Sequence, residues 1–176
     1  MANIAGFKSS LTNGLVRPNA FDVTLNFPAF VQGSTDATIL GQFHCKAASL
    51  PESVVPNIPV YFQGRAVNVA GERIFSPWTV TIYNENFVIR DAIERWMHGI
   101  NDLNTNGGII QPSLYSTDMQ VTQLDRNGTP IKTIKLVNAF PIQVSPIMLD
   151  WEANNQVELF ETTIVYDWYE SSGINA

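Results

Sequence analysis

The sequence predicts a mainly all-β protein, a β-sandwich or barrel-like domain with one helix packed on its side. Three observations carry this. Apolar residues recur with a period of two in segment after segment, which is the pattern of half-buried strands. Only one stretch shows a helical period. Turn-forming Gly, Asn, Asp and Pro separate the segments, as all-β sandwiches and barrels require.

The elements follow in order. Residues 1–16 read as an N-terminal arm, broken up by Asn3, Gly6, Ser9, Ser10 and Asn13. Phe21, Val23, Leu25 and Phe27 alternate with Asp22, Thr24 and Asn26 and predict a strand closed by Pro28. Residues 28–38 read as a long loop. Gln42 to Ser49 predict a second strand, with Phe43, Cys45 and Ala47 on one face. Ile58 to Gln63 and Ala66 to Ala70 predict a strand pair joined at Gly64-Arg65. Trp78, Val80 and Ile82 form one face of a further strand, with Thr79, Thr81 and Tyr83 on the other.

The helix spans roughly Asn86 to His98. Ile89, Ile93, Trp96 and Ile100 share one face, while Arg90, Asp91, Glu94 and Arg95 cover the other. Asn86 suits the N-cap and Gly99 the stop. Residues 101–117 read as a second long loop, and loops of this length are usually functional or ordered by a partner. Met119 to Leu124 and Ile131 to Val137 predict a hairpin about Asp125-Arg126-Asn127-Gly128. Gln156 to Trp168 predict the last strand, and a slip of apolar phase between Leu159 and Phe160 predicts a bulge or a change of buried face. No linker or repeat divides the chain, so residues 1–176 read as one domain.

Composition narrows the function. The chain of 176 residues is 45% hydrophobic but only 15% charged, well below the roughly 25% of an average domain. A chain so short of charge yet rich in Phe and Trp hides part of its surface against partners. Its net charge is −6, with five bases and five acids in residues 1–88 but five bases and eleven acids in residues 89–176. After Lys135 there is no Lys or Arg, only Asp150, Glu152, Glu158, Glu161, Asp167 and Glu170. That balance argues against ordinary nucleic-acid binding, which rests on neutralising phosphates. No apolar run reaches membrane-spanning length, and no secretory h-region opens the chain. With a single cysteine, Cys45, a disulfide framework is excluded and the cytoplasm is the default compartment.

Catalysis finds no support. His44 and His98 have no metal-ligand spacing around them, and Cys45 reads as a small buried hydrophobe rather than a nucleophile. Phosphate-cradling glycine loops and a nucleophile elbow are absent. Asp150 and Glu152 flank Trp151 like a glycosidase pair, but two acids at i and i+2 beside a buried Trp fit a turn edge better. The sequence predicts no enzyme, no cofactor and no metal. A β-sandwich module that binds carbohydrate or another ligand through Trp and Tyr is the alternative to a structural role.

Several blocks of sequence resemble one family. Phe43-His44-Cys45-Lys46-Ala47-Ala48-Ser49-Leu50-Pro51 is followed by Ile58-Pro59-Val60, then Asn68-Val69-Ala70-Gly71-Glu72-Arg73 and Trp78-Thr79-Val80-Thr81. Leu149-Asp150-Trp151, Asn154-Asn155, Phe160-Glu161 and Tyr166-Asp167-Trp168 complete the set. In this order and spacing they closely resemble the tail tube proteins of T4-like contractile-tailed bacteriophages, over roughly residues 15–170. The resemblance implies a virion protein whose copies close into hexameric rings. These stack into a tube inside a sheath, with a baseplate at one end and a terminator protein at the other. It further implies that double-stranded DNA passes through the bore without specific binding. Related folds build the tubes of type VI secretion and other contractile injection systems.

Two sets of candidate residues follow. The proline-stiffened segment Ser49 to Ala70 is expected to fasten one ring to the next through Pro51, Ser53, Val54, Val55, Pro56, Asn57, Ile58, Pro59 and Arg65, since stiff segments lose less entropy on docking. Acids facing the bore would repel phosphate, and Asp118, Asp125, Glu158 and Glu161 are the candidates.

Overall fold

The computed structural model describes residues 3–11 and 15–172. A short helix, α1 (Ile4–Ser10), has its N-terminus capped by the Asn3 side chain, which accepts from the Gly6 N–H at 2.7 Å. The body then runs β1 (Phe21–Thr24), α2 (Ser34–His44), β2 (Cys45–Ala48), β3 (Ser53–Val54), β4 (Asn57–Phe62), β5 (Arg65–Ala70), β6 (Ile74–Phe75) and β7 (Trp78–Tyr83). It continues with α3 (Val88–Ile100), α4 (Pro112–Tyr115), β8 (Thr117–Leu124), β9 (Pro130–Val144), β10 (Leu159–Val165) and β11 (Trp168–Ser171).

The strands pair antiparallel in the order β1-β8-β9-β10-β7-β2, with β11 also on β9. Strand β9 belongs to two half-sheets. Its first part pairs β8 and β11, and its last part pairs β10. Between the two, Asn138 adopts a left-handed φ of 55°, and the register with β10 shifts between Thr163 and Ile164. A bend and a bulge of this kind let one strand turn the corner between packed sheets.

The core lies where the inner faces meet. Trp78, Val80 and Ile82 of β7, Phe160 and Ile164 of β10, and Val121, Ile134 and Leu136 of β8 and β9 are all buried. Helix α3 closes one side with Ile89, Ala92, Ile93 and Trp96. The Trp96 ring tilts against Phe27 at 5.6 Å, and its Nε1 donates to the Tyr115 carbonyl at 2.7 Å. A buried indole N–H needs such a partner.

Several elements differ from the expectation. Residues 34–44 form α2, so the loop over 28–38 is cut short and the strand expected from Gln42 begins only at Cys45. Phe43, on the helix, is exposed, as is Ala47, and only Cys45 packs against the core. The helical phase is masked in the sequence because Ala37 and Gly41 are the residues that turn inward, and neither is a strong hydrophobe; Gly41 sits against the Leu25 side chain. Helix α3 begins after two left-handed residues, Asn86 and Phe87, so Asn86 makes no cap. The helix also runs through Gly99, where a Cβ would collide with the Phe30 ring.

The loop over 101–117 carries α4 and is ordered by its own bonds. The Asp102 carboxylate accepts from the N–H groups of Asn104 and Thr105 at 2.8 Å each, and these bonds, that to Thr105 foremost, hold its pKa below the ordinary value. The last strand breaks at Tyr166-Asp167 into β10 and β11. No bulge lies at Leu159-Phe160, where β10 pairs β7 without interruption. The apolar phase there is simply Phe160, Thr162 and Ile164 inward, with a threonine taking one core position.

Candidate functional site: a projecting hairpin and a polar sheet face

Strands β4 and β5 make a two-stranded sheet of their own. The register pairs Ile58 with Val69, Val60 with Val67 and Phe62 with Arg65. Gln63 and Gly64 form the two-residue turn with φ of 48° and 79°, the left-handed pair that matches strand twist in a tight hairpin. The turn therefore precedes by one residue the Gly64-Arg65 junction expected from sequence.

Side chains alternate across a strand, so Ile58, Val60, Phe62, Val67 and Val69 share one face. Every residue of both strands is exposed. Phe62 is 67% exposed and Val67 54%. The opposite face carries Asn57, Pro59, Tyr61, Ala66, Asn68 and Ala70, and Asn57 Nδ2 donates to Asn68 Oδ1 at 3.0 Å. An isolated hairpin is marginal in water at best, and an uncovered β-branched face invites a partner.

The base of this arm is fixed to the body. Strand β3 pairs β6, placing Ser53 opposite Phe75. Ser53 Oγ and the Tyr169 hydroxyl lie 3.2 Å apart, and the Phe75 ring packs on Tyr169 and Tyr166 at 5.5 and 5.9 Å. Burial pushes the Tyr166 hydroxyl up to about 12, with the neighbouring Tyr169 and Glu52 adding to the shift. The candidate docking residues thus divide. Pro51, Ser53 and Pro56 are half-buried at the anchor, while Val54, Val55, Asn57, Ile58, Pro59 and Arg65 are presented outward. Sequence reasoning missed Val60, Phe62, Val67 and Val69. Their alternation places them on one face whether the turn lies at Gln63-Gly64 or at Gly64-Arg65; what the sequence does not display is that this face is left uncovered.

The four candidate bore acids do not share a face. Asp118 of β8 is paired with Lys135 Nζ at 2.7 Å and accepts from the Asn138 N–H at 3.2 Å. The hydrogen bond from Lys135 holds the Asp118 carboxyl below its ordinary value and raises the lysine in turn. Asp125 builds the β8–β9 turn, accepting from the N–H groups of Asn127 and Thr129 at 2.7 and 2.8 Å. Glu158 accepts from the Asn84 side chain at the edge of β10.

Glu161 alone projects from the middle of an exposed sheet face. Its row includes Thr81, whose hydroxyl lies 3.5 Å from Glu161 Oε1, together with Thr79, Thr163 and Gln143 on the paired strands. Lys46 joins this face at a register shift in β2, with its ammonium 6.0 Å from the Tyr83 ring centroid. The face is hydroxyl-rich and nearly charge-balanced, not an acidic wall.

Nothing in this geometry assembles a nucleophile or an acid–base pair among the described residues. Burial pushes the Cys45 thiol up to about 11, opposite to what a reactive thiolate needs. Trp151 is fully exposed rather than buried, on a turn in which Asp150 Oδ1 accepts from the Glu152 N–H at 2.9 Å. No cluster of metal-ligating side chains occurs among the described residues, and no helix among them is long and apolar enough to cross a membrane.

The fold is shared with tubes of contractile injection systems. The chain aligns with a subunit of the sheath–tube complex of an extracellular contractile injection system at a TM-score of 0.63, covering 99% of this chain and 100% of that one at 13% identity. It aligns with the anti-feeding prophage tube-terminating cap at a TM-score of 0.62, covering 90% and 91% at 16% identity. Sequence similarity is closer to phage proteins. The chain is 34% identical to tail tube protein gp19 of Enterobacteria phage T4 over 161 residues, spanning 88% of this chain and 90% of the relative. It is 27% identical to the tail tube protein of Serratia phage KSP90 over 169 residues, spanning 94% and 95%. The family described as phage tail tube protein matches residues 16–172. The chain belongs to the phage tail tube protein family, as a structural, non-enzymatic component of the virion.

Proposed function

We propose that this tail tube subunit closes into hexameric rings that stack into a tube, and that the viral genome passes through the bore. The observation that carries the proposal is the hairpin of β4 and β5, which presents an uncovered apolar face on a two-stranded sheet fixed to the body at its base. Burying that face against other copies supplies the hydrophobic contact it lacks, at roughly 25 cal/mol per Å² of apolar surface covered. The sheet path ends in β1 and β2. Pairing such edges around a closed ring removes unpaired backbone groups and prevents open-ended aggregation.

The bore-lining surface in this reading is the face bearing Glu161, Thr79, Thr81, Thr163 and Gln143. A hydroxyl-rich wall of low charge stays hydrated and offers phosphates no cationic grip. Glu161 balances Lys46, and electrostatic effects at the wall reach only about 8 Å at physiological salt. Sheath, baseplate and terminator proteins are the partners proposed for the tube's outside and ends. The neighbouring folds support this, being drawn from a sheath–tube complex, a tube cap and a baseplate.

The test is negative-stain imaging and sedimentation of the purified protein beside Val60→Asp, which places a charge in the apolar face without touching the body. The wild type should form rings or tubes. Val60→Asp should remain a folded monomer. Equal assembly by both proteins would overturn the role of the hairpin.

A further inference from the structure

We infer that the hairpin of one copy docks on the loop 146–158 of another, which is its receptor on the neighbouring subunit. This rests on the reading that the hairpin is an inter-subunit element, and adds where it lands. The loop joins β9 to β10 and is held at both ends, by Ser145 N–H donating to the Glu161 carbonyl at 2.8 Å and Asn84 N–H donating to the Glu158 carbonyl at 3.0 Å. Within it, the Ala153 N–H donates to the Asp150 carbonyl, so the tip is folded on itself. It encloses an open cavity of ≈ 690 Å³.

The lining mixes apolar with acidic side chains, and several of its large apolar members stand uncovered. Met148 is 88% exposed, Leu149 85% and Trp151 102%. A folded loop with these three side chains in water matches the hairpin's apolar face in kind. Charge fixes the pairing. Residues 53–71 contain Arg65 and no acid, whereas residues 146–158 contain Asp150, Glu152 and Glu158 and no base. Arg65 stands at the hairpin tip opposite Phe62, so one end of the arm offers an aromatic ring beside a guanidinium. Trp151 between Asp150 and Glu152 offers the complement, an indole for stacking and carboxylates for the cation. Strands of six residues extend about 20 Å, enough to carry that tip away from its own body to another copy.

The experiment uses two single-cysteine proteins in a Cys45→Ala background, Gln63→Cys at the hairpin tip and Trp151→Cys in the loop. They are mixed as subunits, assembled, and treated with a short bis-maleimide. Because each copy carries one cysteine, a mixed adduct must join two chains. The expected result is a cross-linked dimer of the two variants in assembled particles and none in the unassembled mixture. Should Trp151→Cys stop assembly, Asn154→Cys on the same loop carries the cross-link.

Maleimide labelling separates the two ideas. If Gln63→Cys becomes protected on assembly but never joins the loop, the receptor is overturned while the docking role of the hairpin stands. If Gln63→Cys stays freely labelled in finished tubes, both fail. A charge exchange adds a second readout. Arg65→Glu should block assembly, and combining it with Asp150→Arg and Glu152→Arg should restore it. Failure of that exchange to restore assembly, with no cross-link, overturns the pairing.

Discussion

The Trp78 indole Nε1 donates to the Ser49 carbonyl at 2.7 Å. One residue thereby ties the centre of the core to the first residue of the segment that leads into the projecting arm. Trp78 is 1% exposed and lies on the inward face of β7. Trp78→Phe removes the donor and part of the ring, and should destabilise the subunit by about 2–3 kcal/mol. Urea unfolding of an assembly-blocked variant measures this. A loss below about 0.5 kcal/mol would show that the bond and the packing contribute little.

Gly64 sits at φ 79°, and no atom beyond itself and its two chain neighbours lies within 4 Å of the point a Cβ would occupy, so its requirement is one of backbone conformation alone. Gly64→Val forces a β-branched residue into the left-handed region, costing on the order of 1–2 kcal/mol within the hairpin. Since β4 and β5 lie outside the core cluster, the thermal midpoint of the monomer should barely move while assembly falls. Light scattering during assembly, set beside calorimetry of the monomer, checks both halves.

The Asp118–Lys135 pair carries a pH signature. The folded-state carboxyl titrates below its ordinary value of 3.8, so the pair's stabilisation is present above that value and is lost as pH falls through the lowered one. The lysine titrates above its ordinary 10.5, so its share is present below that value and is lost as pH rises through the raised one. Lys135→Met should return the Asp118 titration toward the ordinary carboxylate range in a carboxyl-detected NMR experiment. Both groups are solvent-accessible, so the effect on overall stability should be small. An unmoved Asp118 titration would assign its shift to the Asn138 N–H instead.

Glu161→Lys turns a nearly balanced face into one with two cations, Lys46 and the new lysine. Tubes of this variant should retain duplex DNA at low salt and release it as salt rises, and virions carrying it should eject their genome more slowly. Ejection at the native rate from such tubes would separate this face from the bore.

The period-two pattern makes most of the fold legible in the sequence. Trp78 to Tyr83 is legible to the residue because inward and outward side chains alternate there without exception. Helix α2 is hidden because its buried residues, Ala37 and Gly41, are small, so the residues that define its inner face leave no apolar signal. The β10–β11 break is hidden because apolar residues continue through Tyr166 and Trp168 while the backbone leaves β7 and pairs only with β9. The acids are the least legible. Asp118, Asp125 and Glu158 read as surface charge, yet each is occupied by a local bond that sequence does not display. Glu161 is no more legible, because the apolar slip at Leu159-Phe160 leaves its facing open in the sequence, and only the unbroken register with β7 puts Phe160 and Thr162 inward and Glu161 outward.

Copies of this chain are expected to build a tube by burying the β4–β5 hairpin. An electron cryo-microscopy reconstruction of the assembled wild-type protein tests it most directly. The expected density shows stacked hexameric rings around an open bore, with Val60, Phe62, Val67 and Val69 covered by a neighbouring subunit and Glu161 facing the bore. Rings or tubes in which that hairpin remains in solvent, or a protein that stays monomeric at every concentration with or without a tail-assembly initiator, would contradict it.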